Sequence, residues 1–105
     1  MIVATFSPGE LTVKGHSGLA PHGEDILCAA VSCLVYTMAA RLYEIADRLP
    51  TFQTIVELLP GDAHLRWSKE TIEVSLLLHT IQTGFVLLQE KCPENLKVKI
   101  NIGEG

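Results

Sequence analysis

Residues 25–49 read DILCAAVSCLVYTMAARLYEIADRL, and within them Leu27, Val31, Leu34, Met38, Leu42 and Ile45 recur at spacings of three and four. That is one apolar stripe along a long helix, opened by Asp25 as a candidate N-cap and stopped before Pro50. Upstream the period changes. IVATF at 2–6 and LTVK at 11–14 are short and β-branched, and SPGE separates them as a turn, so they predict a hairpin. Downstream, IVELL at 55–59, the Pro-Gly turn of PGDA and HLRWS at 64–68 predict a second strand pair. Ser68 is a plausible cap for a second helix reaching about Lys91, where Cys92-Pro93 marks its end. LKVKINI at 96–102 alternates with period two and predicts a half-exposed strand. The order ββαββαβ implies an α+β fold, a sheet of about five strands covered by two helices, in a single domain over residues 1–105.

The second helix is apolar on more than one side. Val74, Leu77, Ile81, Phe85 and Leu88 form one stripe, which Ile72, Leu76 and Leu87 widen, so a second surface such as another subunit is expected to cover part of it. Hydrophobic residues are 48% of the chain and charged ones 19%, which suits a packed domain and argues against disorder. Eight Lys and Arg, scattered along the chain, make no stripe for a phosphate backbone, so direct nucleic-acid binding is not expected. A net charge of -4 suits a basic peptide or protein partner better. No cleavable leader and no run of about 20 uninterrupted apolar residues is visible, so a cytoplasmic protein that does not span a membrane is expected. Cys28, Cys33 and Cys92 form no CxxC pair and are odd in number, in keeping with free thiols.

Chemistry concentrates just ahead of the first helix, in GHSGLAPHGED at 15–25. With Asp25 as cap, Cys28 sits in the first helical turn, where free N–H groups and the helix dipole favour a thiolate. An imidazole from His16, at the end of the second strand, would complete a Cys-His pair for attack on a carbonyl. Gly15, Gly18 and Gly23 would let the intervening loop hinge over an extended peptide. Ser32, one turn beyond Cys28 on the same face, could bind substrate or orient a partner. Spacing permits this pair without showing it, because a cysteine on an amphipathic helix is more often a small buried hydrophobe. Asp25 has two readings: helix cap, or orienter of His16, with a charge that opposes thiolate formation nearby. His22, His64 and His79 are scattered and lack partners at ligand spacing, so neither a metal nor another cofactor is expected. Cys33 and Cys92 read as structural.

The segment GHSGLAPHGEDILCAAVS resembles the signature of the ribosomal-processing cysteine protease (Prp) family. There, Gly-His, a short glycine-containing loop, Gly-x-Asp and Cys-Ala-Ala-Val-Ser follow in this order. The resemblance implies that His16 and Cys28 are a catalytic dyad, that Asp25 and Ser32 assist the site or the substrate, and that Gly15 belongs to a loop that moves when substrate enters. It further implies a homodimer formed through the second helix. The implied activity removes a short N-terminal extension from a large-subunit ribosomal protein, cutting after an aromatic residue and supporting ribosome assembly. Leu19 stands where that family commonly has an aromatic residue, and Pro21-His22 where it has an acidic-aromatic pair, which bears on substrate preference more than on the dyad. The competing reading is a non-catalytic module that binds a ribosomal or assembly-factor peptide in the same cleft. A redox pair of Cys28 and Cys33 is set aside, since five positions apart on one helix they point away from each other.

Overall fold

A computed structural model of the chain describes residues 1–16 and 25–102. Its elements follow the expected order: β1 (Ile2–Ser7), β2 (Glu10–Lys14), α1 (Ile26–Arg48), β3 (Thr54–Leu59), β4 (Asp62–Trp67), α2 (Ile72–Lys91) and β5 (Leu96–Ile100). The strands form one sheet in the order β3-β4-β2-β1-β5, antiparallel throughout except for the parallel pair of β1 and β5.

Both hairpins turn on the same dipeptide. Pro8-Gly9 joins β1 to β2 and Pro60-Gly61 joins β3 to β4, with Gly9 at φ 73° and Gly61 at φ 68°. Proline presets the first corner of each turn and glycine supplies the positive φ that the second requires. These turns set the register, which lines up Ala4, Val13 and Ala63 in one row and Phe6, Leu11 and Leu65 in the next. Those rows face the helices, and Phe6, Leu11 and Leu65 are fully enclosed. A slip by one residue would turn every one of these side chains to the opposite face.

The helices supply the other half of the core. α1 buries Leu27, Val31, Val35, Met38, Ala39, Leu42 and Ile45, a stripe broader than the expected one; Leu34 is only partly buried and instead meets α2 at Gly84. A Cβ on Gly84 would come within 2.8 Å of Leu34 Cδ2, so the small residue permits the close approach of the two helices. α2 buries Val74, Ile81 and Phe85, and the Phe85 ring meets Phe6 edge to face at 5.5 Å. Truncating such an enclosed phenylalanine costs about 3–5 kcal/mol.

One expectation needs correction. The cap of α2 is Thr71, whose hydroxyl accepts from the Val74 N–H at 3.2 Å; the Ser68 hydroxyl accepts instead from the Gln53 N–H, tying β4 to the segment before β3. By length and composition, moreover, both helices could cross a bilayer, with mean hydropathy of 1.7 and 1.3 in their 18-residue windows, although neither holds an uninterrupted apolar run. In this fold only part of each helix's apolar surface is buried. Each lays one stripe on the sheet core, and Arg41 and Arg48 of α1 clasp Glu73 of α2 at 2.9 and 2.6 Å.

Candidate active site

One end of the sheet opens into a cavity of about 700 Å³. The first turns of α1 form one wall, with Asp25, Cys28, Ala29, Ser32 and Tyr36. Facing them are Leu58, Leu59 and the Pro60-Gly61 turn between β3 and β4; Gly15 and His16, which follow β2, complete the rim, and Val31 and Val35 line it from the core. His16, Cys28, Asp25, Ser32 and Gly15 thus meet around one space. Gly18, Gly23, Leu19, Pro21 and His22 lie outside the described residues.

The position of His16 follows from two glycines. Gly15 takes φ 102°, and a Cβ there would collide with the Met1 carbonyl, so the backbone passes too close to β1 for any side chain. Its N–H donates to the Gly61 carbonyl at 2.9 Å, joining the end of β2 to the β3–β4 turn. On Gly61 a Cβ would fall 2.6 Å from His16 Nε2 and 3.0 Å from Cε1; the imidazole therefore rests over a bare Cα. His16 is exposed beside the cavity.

On the facing wall, Asp25 is the N-cap of α1, and its Oδ1 accepts from the Cys28 N–H at 3.0 Å. The capping reading of Asp25 thereby has its geometry. This bond takes up the amide of Cys28 itself, leaving those of Ile26 and Leu27 as the first-turn donors outside the helix ladder. Cys28 is half-buried and Ser32, one turn on, is partly buried. Among the described residues no hydrogen bond joins Cys28 to His16; such bonds often tighten only when substrate arrives. Cys33 is exposed rather than packed, its carbonyl accepting from the Thr37 hydroxyl, whereas Cys92 packs against the core at the end of α2. Among the described residues no three His, Cys, Asp or Glu side chains gather as a metal-binding group.

Sequence reasoning missed the far wall and Tyr36. Tyr36 was open to discovery, lying two turns from Cys28 and one from Ser32 on the same ridge. Leu58, Leu59 and Gly61 carry no local signal, because a hairpin some 30 residues later brings them there.

A thiol in the first turn of a helix and an imidazole on the rim of the same open cleft are the two groups that the class of cysteine proteases requires. Within it, the family model described as cysteine protease Prp matches residues 1–97, and the chain belongs to that family. Solved structures agree in fold. The chain is similar to S. aureus Prp, an essential ribosomal processing protease, in complex with a covalently linked product peptide: TM-score 0.78, 20% identity, 96% of this chain and 100% of that one covered. The S. aureus protease with a substrate peptide gives 0.73 at 17% identity, covering 95% and 97%. SMU.848 from Streptococcus mutans gives 0.72 at 31% identity, covering 95% and 93%. Among curated proteins no match is found.

Proposed function

We propose that this cysteine protease is an endopeptidase that removes the N-terminal extension of a large-subunit ribosomal protein in the cytoplasm, through a dyad of Cys28 and His16. The observation that carries the reading is the convergence of His16 and Cys28 on one cavity in a chain of the Prp family. The S. aureus relatives hold a substrate and a covalently linked product peptide, which favours a peptide in the corresponding cleft here. Among the described residues, Asp25 and Asp62 are the acidic ones of its lining, and they suit a basic substrate segment.

In this mechanism His16 takes the proton of the Cys28 thiol, and the thiolate attacks the scissile carbonyl. The oxyanion is met by first-turn amides, those of Ile26 and Leu27, aided by the positive end of the α1 dipole. Collapse breaks the C–N bond, and His16 returns the proton to the leaving amine. Water, deprotonated by His16, then hydrolyses the thioester and restores the thiol. Asp25 keeps Cys28 in place through the cap, Ser32 contacts substrate one turn on, and Gly15 lies on the rim where the peptide enters. The outer face of α2 joins two copies as a homodimer.

Mass spectrometry of a peptide carrying that ribosomal extension, incubated with wild type and with Cys28→Ala, tests the dyad. A single cut in the wild type and none in the variant is expected, with His16→Ala slower by about 10²–10⁴-fold. Equal cutting by Cys28→Ala would overturn the reading. Binding without cutting by the wild type, unaffected by alkylation of Cys28, would favour the non-catalytic module.

A further inference from the structure

Three large side chains of the cleft have no part in that mechanism. Tyr36 is 59% exposed, Leu59 66% and Leu58 40%, and all three line the cavity. The buried stripe of α1 does not require an aromatic residue at position 36. Tyr43, on the same helix and similarly exposed, lies outside the cavity, so the cleft does not simply collect whatever tyrosines α1 offers.

We propose that Tyr36 is a specificity-determining residue, which forms with Leu58 an apolar subsite for a substrate side chain three to four residues from the scissile bond. The inference rests on the proposed function in taking Cys28 as the point of attack and the ribosomal extension as substrate. Cys28, Ser32 and Tyr36 lie at successive turns of one ridge, so eight helical steps of about 1.5 Å place Tyr36 about 12 Å further along the α1 wall of the cleft. An extended peptide advances about 3.3 Å per residue, so that distance spans between three and four of its residues. Of the two leucines, Leu58 shares the helix-facing row of β3 with Val56, so it and the Tyr36 ring offer an apolar slot. An aliphatic or aromatic side chain fits that slot, and a charged one would lose its hydration there.

The test uses peptides of the same ribosomal extension, with Leu, Ala or Asp placed singly three and four residues to either side of the cut. Wild type should prefer Leu to Ala by about tenfold at one of these positions, as one apolar contact allows, and should discriminate further against Asp. The preference should lie in KM rather than kcat, fall to about twofold or less in Tyr36→Ala, and survive in Tyr36→Phe. Fluorescence anisotropy of the labelled peptides on Cys28→Ala, with and without Tyr36→Ala, reads the same preference as a ratio of Kd values. Retained cleavage by Cys28→Ala would sink the dyad while leaving a Tyr36-dependent Kd ratio to support the subsite. A leucine preference unchanged by Tyr36→Ala, or none at any of the four positions, would overturn the inference even if Cys28 proves to be the nucleophile.

Discussion

Gly15 and Gly61 flank His16 from two sides, and a methyl group on each would meet a different obstacle. At Gly61 the obstacle is the tip of the imidazole, which can swing away. At Gly15 it is the backbone carbonyl of Met1, which cannot move without disturbing β1. Gly61→Ala should therefore lower kcat/KM by at least about tenfold while costing about 1 kcal/mol, from its positive φ. Gly15→Ala should chiefly lower the melting temperature, measured by circular dichroism. If the two variants lose stability and activity in the same proportion, the distinction fails. None of this was legible from the residues alone. His16, Asp25, Cys28 and Ser32 stood out because they are neighbours in the chain, but the surface on which the imidazole rests comes from a hairpin remote in sequence.

Among elements, the start of α2 carries the most information. By residue type Ser68 is the better cap of the two, since serine outranks threonine at that position. What decides between them is pairing: the Ser68 N–H donates to the Gln53 carbonyl and its hydroxyl accepts from the Gln53 N–H, so Ser68 still belongs to the β4 edge. Periodicity sufficed for two helices and five strands, whereas this boundary was set by a contact 15 residues away in sequence. Just inside the helix, Glu73 is held below the ordinary carboxyl value of 4.5, foremost by its hydrogen bond from Arg48 and then by the charges of Arg48 and Arg41, against a desolvation that pushes the other way. A carboxyl that binds its proton less readily when folded stabilises the fold above its unfolded value and loses that contribution as pH falls through the folded one. Urea unfolding should thus separate wild type from Glu73→Gln at pH 7, and the gap should begin to narrow as pH falls below that ordinary value and close only below the lowered folded value. A gap of constant size down to pH 2 would mean that the clasp does not depend on the charge.

At the scale of the whole molecule, α2 has two faces. Val74, Ile81 and Phe85 are enclosed, while Ile72, Leu76 and Leu87 on the opposite side are 82%, 64% and 53% exposed. An unburied apolar helix face of this kind is costly to leave in water. The homodimer proposed above would cover it. Light scattering at micromolar concentration should give twice the chain mass for wild type and a single chain mass for Leu76→Glu with Leu87→Glu, whose circular dichroism should be unchanged. A wild-type monomer would count against the interface. The doubled apolar pattern of α2 was readable from the sequence, since a helix that serves only one core needs only one stripe.

The parallel pair at the sheet edge joins Ile2 to Leu96 and Phe6 to Ile100, the first strand to the last. Antiparallel β1–β2 and β3–β4 close through two-residue turns, but this pair has to bring together nearly the full length of the chain. Loop-closure entropy makes it the slowest contact to form. Pulse-labelling hydrogen exchange during refolding should protect amides between β1 and β2 before those of β5, and simultaneous protection would argue for all-or-none closure. The walls of the cleft come from β1, β2, α1, β3 and β4, all made before β5, so the outer edge of β1 awaits its neighbour. During synthesis, then, the cutting end of the molecule is shaped first, and for an interval an unclosed strand edge stands open to any other nascent chain.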